Sequence, residues 1–405
     1  MNKLLIPFLL ITLNIHSQNG CTDPLANNYD SFATINDGSC TYDPTSTTVD
    51  SSTELPSVLN ETSGLVVWNS EFWSHNDSGS DINLYSTNTP FNTISKTIPL
   101  TGEANTDWEA LEQDDDYLYL GDFGNNDNGN RTDLKVLKIN KSTLTESNAD
   151  IDYINFNYKN QTDLSPQSGN TTNFDCEAMI IDEDYLYLFS KEWTSNQTTI
   201  YQIPNQSGNQ EAIKIDSYNI NGLVTDAIYI KELRLITLIG YTNVTFQPFI
   251  YLLYDFTGNN FFNGNKRLIN LNLPLHQVEA ITSTDGLNYT ITSEEVIKQP
   301  FINIPAKIHE IDLSQYLENY INNQTLDYKE VAASKIAIFP NPTSDSISIE
   351  GVVANIPYTI SSTTGQIVKS GKHLINKTIN IKDLPSGIYF LKFENSSIIH
   401  KIIRK

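Results

Sequence analysis

The chain has 405 residues, with 48 acidic side chains against 25 basic ones and a formal net charge of −23 at pH 7. That balance excludes nucleic acid as a partner, because phosphates are held by Lys and Arg. It fits a solvated acidic surface, or one that takes hard cations through oxygen ligands.

Met1-Asn2-Lys3 is a short basic start, followed by the apolar run LLIPFLLITLNI. The run is too short to span a bilayer and polar residues follow it, so residues 1–18 read as a cleavable signal peptide. Cys21 raises a lipid-anchored alternative, but Gln18-Asn19-Gly20 lacks the small and aliphatic residues that lipidation needs. No later segment is long and apolar enough to cross a membrane, so the mature protein is expected to be soluble, exported and in oxidising surroundings.

Residues 19–42 form a compact acidic module, GCTDPLANNYDSFATINDGSC at its heart. A Cys21–Cys40 disulfide would close a loop of about 20 residues, worth about 3 kcal/mol in the chain-entropy model. So small a segment builds no core of its own and needs such a staple. Asp23, Asn27, Asn28, Asp30, Asn36 and Asp37 offer oxygens that could hold Ca²⁺ or make Asx turns. The module resembles a short Cys-containing unit of bacterial surface proteins. The third cysteine, Cys176, lies in an apolar run and reads as an inert buried thiol. Residues 43–53, rich in Ser, Thr and Asp, read as a linker.

Residues 54–330 carry an internal repeat. Thr62-Ser63-Gly64-Leu65, Trp108-Glu109-Ala110-Leu111, Cys176-Glu177-Ala178-Met179, Thr225-Asp226-Ala227-Ile228 and Val278-Glu279-Ala280-Ile281 are variants of one pattern. Each is followed by a turn and a second β run, then a third, and in places a fourth. The repeated acids stand roughly 50 to 70 residues apart, room for one four-stranded sheet per unit, which predicts an all-β propeller. Five blades are expected, with six as the alternative because the longest interval is irregular; residues 160–173 read as a loop insertion there. The fifth unit shows three strands, and Leu55–Leu59 could supply its fourth and close the ring. No helical period is evident in this region.

In such a fold the start of each inner strand and the end of the next strand meet at one mouth of the channel. The acids placed there are Asp107, Glu109, Asp122, Asp175, Glu177, Asp226 and Glu279, read as ligands of a metal. Carboxylates converging on one opening must protonate, pair with cations or bind a metal, and all-oxygen donors suit Ca²⁺. The competing reading is that these polar residues tie neighbouring blades through backbone hydrogen bonds. Lys191 and Arg131 would offset the charge or bind a phosphate, and His75 beside Asp77, or His276, would move protons.

The segments SGL…SHNDSG, DWEAL…GDFGNN with Arg131, and DCEAM…SK resemble the esterase-like phytase and SdiA-regulated group of bacterial propellers over residues 61–295. The resemblance implies a propeller with a polar, calcium-associated mouth. Two functions follow as expectations. One is a calcium-dependent hydrolase of phosphate or other esters, in which a metal-bound water attacks. The other is a non-enzymatic propeller binding an extracellular glycan or protein, with Trp68, Trp73, Trp108 and Trp193 as contact area. Serine-type hydrolysis has little support, since no G-x-S-x-G motif is present.

Residues 331–405 are a second all-β unit. Alternating runs are separated by Pro-Asn-Pro, Thr-Gly and Pro-Ser-Gly turns. Phe339-Pro340-Asn341-Pro342, Thr364-Gly365-Gln366, Leu384-Pro385-Ser386-Gly387-Ile388-Tyr389 and the basic end closely resemble the C-terminal sorting domain of the type IX secretion system of Bacteroidetes, an immunoglobulin-like β-sandwich. The resemblance implies recognition by that secretion machinery, removal during export, and delivery to the cell surface or the medium.

Overall fold

A computed structural model describes residues 18–79, 81–144, 149–182, 184–334, 337–350, 356–373, 378–393 and 399–405. Residues 1–17 of the expected signal peptide lie outside the described residues. The chain separates into two compact units, Met1–Leu317 and Glu318–Lys405.

The first unit is propeller-like. Blade 1 pairs Thr62–Trp68, Glu71–Asn76, Asn83–Thr87 and Ile94–Pro99 in chain order. Blade 2 consists of Trp108–Gln113, Tyr117–Asp122, Lys135–Asn140 and Ile151–Tyr158, and blade 3 of Cys176–Asp182, Tyr185–Ser190, Thr198–Pro204 and Gly208–Tyr218. Blade 4 takes Leu223–Ile230, Leu235–Tyr241, Pro248–Tyr254 and Asn265–Leu271. Blade 5 takes Val278–Ser283, Asn288–Ser293 and Lys307–Asp312. Among the described residues the five inner strands adjoin one another in order, and Val278–Ser283 returns to Thr62–Trp68.

The core lies in layers between blades, which explains why the inner and second strands are buried on both faces. Val66 and Trp73 of blade 1 pack with Trp108 and Leu120 of blade 2. Tyr119 and Phe123 of blade 2 meet Met179 and Leu188 of blade 3. Ala178 and Phe189 of blade 3 meet Val224, Leu238 and Phe249 of blade 4. Trp73 and Trp108, expected as possible ligand contacts, are therefore core residues.

Three expectations change. The fourth strand of blade 5 is Ser51–Glu54, paired antiparallel with Lys307–Asp312, while Ser57–Leu59 forms a short 3-10 helix instead of a strand. Residues 43–53 are consequently no free linker: Thr45–Thr47 also adds parallel to the outer strand of blade 4, Asn265–Leu271. The physical reason is that outer strands offer unpaired backbone groups, and a polar, β-branched segment can satisfy them while facing water. Third, Ser314–Ser334 is a helix inside a region expected to be all β.

The Cys21–Cys40 disulfide is formed, with an S–S distance of 2.05 Å. The module's oxygens go into Asx turns: Asp23 Oδ1 accepts from Leu25 N, Asp30 Oδ1 from Phe32 N, Asn36 Oδ1 from Gly38 N and Asp37 Oδ1 from Ser39 N. Four of the six residues thus make such turns, while Asn28 Oδ1 accepts from Thr41 N and Asn27 Nδ2 donates to Asp43 Oδ1. Cys176 is buried, and burial pushes its thiol up from the ordinary value.

The second unit carries a three-stranded sheet (Ala337–Phe339, Ser346–Glu350, Ile379–Asn380) and a four-stranded one (Ile356–Ser362, Ile367–His373, Gly387–Phe393, Ile399–Arg404). Ile347, Ile360, Ile379, Leu391 and Ile402 fill the space between them, a β-sandwich core.

Candidate functional site at the channel mouth

β-Bulges decide which repeated residues face the channel. In blade 3 Cys176 pairs with Ser190 and Ala178 with Phe189, leaving Glu177 unpaired between them. In blade 5 the same break falls on Glu279, between Val278↔Ser293 and Ala280↔Thr292. A bulged residue leaves the ladder and its side chain is re-aimed. Blade 4 breaks between Val224↔Gly240 and Asp226↔Ile239, so the bulge holds Thr225. Asp226 thus takes the ladder position that Ala178 has in blade 3, one residue out of phase with the acids. Its Oδ2 accepts from Ile281 N of blade 5 at 2.8 Å. Asp226, expected as a metal ligand, is an inter-blade tie. Thr225 Oγ1 to Val278 O (2.7 Å) and Ser63 Oγ to Glu109 O (3.0 Å) are ties of the same kind.

A polar cavity of about 190 Å³ opens at the mouth. Asp77, Glu109, Glu177, Glu279 and Glu294 bring carboxylates to it, with Lys191, Trp193 and Tyr241. Asp77, Asp107 and Glu109 each present an oxygen within 4.8 Å of the others. The backbone makes room for them at Gly124, where a Cβ would stand 2.5 Å from both Asp107 Oδ2 and Glu109 Oε1. Asp77 Oδ1 and Glu177 Oε1 are buried without a hydrogen-bond partner.

Burial and mutual repulsion hold these acids towards protonation. Burial, with Asp107 next, pushes Asp77 up to about 8. Burial and Asp175 push Asp107 up to about 6. Burial raises Glu279 to about 7 against the opposing pull of Lys191, and Glu109 is raised by burial and by Glu177. Lys191 is the cation here: its Nζ lies 3.0 Å from Glu177 Oε2 and sits over the rings of Trp193 and Tyr241. Burial works against its charge, but Glu177, Glu279 and Glu109 hold the ammonium above its ordinary value.

Other expected site residues do not line the cavity. Asp122 is fully buried, 2.8 Å from Arg131 Nη2 and 3.5 Å from Lys135 Nζ. Arg131 also donates to Gly124 O and to Asp133, so it braces the loop after Asp122 instead of facing the cavity. Asp175 accepts from Asn125 N (2.6 Å) and Trp193 Nε1 (2.7 Å), fixing two mouth loops. His75 is buried edge-on to Trp108 with Nδ1 3.1 Å from Asn76 O, and burial lowers it to about 4. His276 packs against His309. Two cavity residues had no signal in the repeat pattern: Gln277, and Asn170 from the loop insertion, whose N–H donates to Asn126 O.

An acidic channel mouth on a propeller-like unit, followed by a small β-sandwich, defines the class of molecule. Residues 337–405 match the secretion system C-terminal sorting domain. This chain is therefore exported to the cell surface or the medium, and its C-terminal unit is what the type IX secretion machinery engages. Among the described residues no helix is long and apolar enough to cross a membrane. No curated protein matches the chain. Among solved structures, PorZ, a surface component of the type-IX secretion system of Porphyromonas gingivalis, is similar at 14% identity over 85% of this chain and 45% of its own, with a TM-score of 0.30. An exo-1,5-alpha-L-arabinanase from a bovine ruminal metagenomic library aligns at 11% identity over 64% of this chain and 92% of its own, TM-score 0.37. The WD40 repeats of RRP9 align at 9% identity over 61% and 66%, TM-score 0.30. This chain spans less than half the length of PorZ. Likeness at this level carries no argument about activity.

Proposed function

We propose that this exported propeller holds a hard divalent cation, calcium, at its channel mouth and uses the metal-filled mouth to bind an extracellular ligand. The observation that carries the reading is the triad Asp77, Asp107 and Glu109, with oxygens mutually within 4.8 Å. Calcium–oxygen bonds are about 2.3–2.6 Å, so oxygens on opposite sides of the ion lie about 5 Å apart. The triad fits around one such ion. Occupancy would also relieve the repulsion that pushes Asp77 and Asp107 upward. The resemblance of the DWEAL and GDFGNN segments to the esterase-like phytase group supports the same polar mouth.

Binding is favoured over phosphoester hydrolysis by the state of the two basic residues. Lys191 is paired with Glu177, and Arg131 with Asp122 and Asp133, so neither is free for a phosphate. A hydrolase would depend on the metal alone for its positive field.

The test is calorimetric titration of the secreted chain with calcium, beside the same titration of Asp107→Asn and Glu109→Gln. Saturable binding that weakens at least ten-fold in both variants is expected. Absence of calcium binding in the unaltered chain overturns the reading. Release of phosphate from p-nitrophenyl phosphate, dependent on calcium and lost in Asp107→Asn, would restore the hydrolase.

A further inference from the structure

We propose that residues 19–54 are a clasp that closes the propeller ring, with the Cys21–Cys40 disulfide as its redox-sensitive catch. Blade 5 is built from both ends of the unit: three strands come late in the chain and the fourth, Ser51–Glu54, comes from before blade 1. The seam is polar. Ser52 Oγ meets His309 Nδ1 at 2.7 Å, Ser51 Oγ donates to Glu310 Oε2 at 2.8 Å, and Asp312 N donates to Asp50 Oδ2 at 2.8 Å. A strand of four residues with exposed polar side chains has little apolar burial to hold it. Its anchorage lies upstream, on blade 4.

There the stapled module docks as a shaped unit. Thr22 Oγ1 and Asn36 Nδ2 both donate to Asp255 Oδ2 at 2.9 Å, and Asn36 Nδ2 also reaches Asn265 Oδ1 at 2.9 Å. Tyr254 OH donates to Asp23 Oδ2 at 2.6 Å, beside Tyr42 OH. Gly38 lies so close to blade 4 that a Cβ would stand 2.5 Å from Asn263 O. These contacts come from residues on both sides of the loop that the disulfide closes. Their joint geometry exists only while the module keeps its shape, and a segment this small cannot keep it by a core. Breaking the S–S bond with a dithiol forms two cysteine thiols and turns the reagent into its cyclic disulfide, two electrons and two protons passing to the protein. The strap from Thr45 to Glu54 then keeps only its short parallel ladder on Asn265–Leu271, and the seam inside blade 5, between Ser51–Glu54 and Lys307–Asp312, loosens. The ring would close fully only in an oxidising compartment, which agrees with export.

Amide hydrogen exchange on the full secreted chain, without calcium, tests this. Oxidised protein is compared with protein reduced by dithiothreitol, and with the disulfide-intact variants Tyr254→Phe and Gly38→Ala. Exchange in Lys307–Asp312 should accelerate at least ten-fold in all three, with Cys176–Asp182 unchanged. Acceleration confined to residues 19–42 overturns the clasp. So does uniform acceleration in every blade, which would mean general loss of stability instead of an opened seam.

Discussion

Lys191 Nζ stands 3.0 Å from Glu177 Oε2, with side chains 6% and 3% exposed, in a mouth whose other charged lining residues are carboxylates. A pair this deep is costly to bring out of water, and its value lies in what its loss would leave behind. Lys191→Met would leave Glu177 uncompensated next to Glu279 and Glu109. We expect a loss of about 3–5 kcal/mol in urea unfolding at pH 8, the range for breaking a buried pair. The double variant Lys191→Met/Glu177→Gln should recover a good part of it. With Glu177→Gln alone completing the cycle, a double-variant loss equal to the sum of the two single losses would show that the two side chains act independently.

The raised acids fix a sign for the pH dependence. Asp77, Glu279 and Asp107 sit at about 8, 7 and 6, all above their ordinary values. At these three acids the folded state binds more protons than the unfolded chain between about pH 4 and pH 8, whereas His75 and His309, lowered by burial, work the other way below about pH 6.5. Without calcium, stability should therefore fall as pH rises from about 6.5 to 8. Calcium competes with those protons, so its stabilising effect should grow from pH 5.5 to pH 8.5 and proton release should accompany binding. Thermal midpoints at the two pH values, with calcium and with chelator, measure this; a calcium effect independent of pH would place the ion away from these acids.

Asp226 and Glu109 looked equivalent in the repeat and should behave oppositely. Asp226→Ala removes the acceptor of Ile281 N and should cost about 1–3 kcal/mol, the price of an orphaned buried donor, with calcium affinity unchanged. Glu109→Gln should weaken calcium at least ten-fold and leave stability in chelator equal or higher. Calorimetry and urea unfolding on both variants separate the roles; weakened calcium binding in Asp226→Ala would return it to the mouth.

That contrast marks where the sequence could be read and where it could not. The spacing of Glu109, Glu177 and Glu279 showed the order of inner strands, because each begins a run with the same apolar phase. It could not show that blade 4 bulges at Thr225, since a one-residue shift leaves composition unchanged while reversing the face. Ser51–Glu54 escaped because its pairing partner lies some 250 residues away and its side chains are polar. The helix Ser314–Ser334 escaped because, among those of its residues whose burial is described, Tyr316, Leu317 and Ile321 alone are buried, too few to set a helical period. The triad was partly visible: Asp107 and Glu109 stand in the repeat and read as metal ligands, whereas Asp77, at the end of the second strand of blade 1 and so on the same mouth, read as a proton-moving partner of His75.

Gly124 offers the sharpest test of the triad as a unit. Its backbone passes so near that an added Cβ would meet Asp107 Oδ2 and Glu109 Oε1 at 2.5 Å. The same Cβ would stand 2.5 Å from Asp107 Cγ, so Asp107 must turn about its Cα–Cβ bond and Glu109 swing its carboxylate aside, side-chain movements that leave the backbone of the blades in place. Gly124→Ala should therefore keep the fold, with near-native unfolding in chelator, yet disperse the oxygens and weaken calcium at least ten-fold. A variant that binds calcium normally would mean that Asp107 and Glu109 do not share an ion, whatever their spacing. A variant that loses stability in chelator, with calcium affinity intact, would show the glycine serving the loop that Arg131 braces.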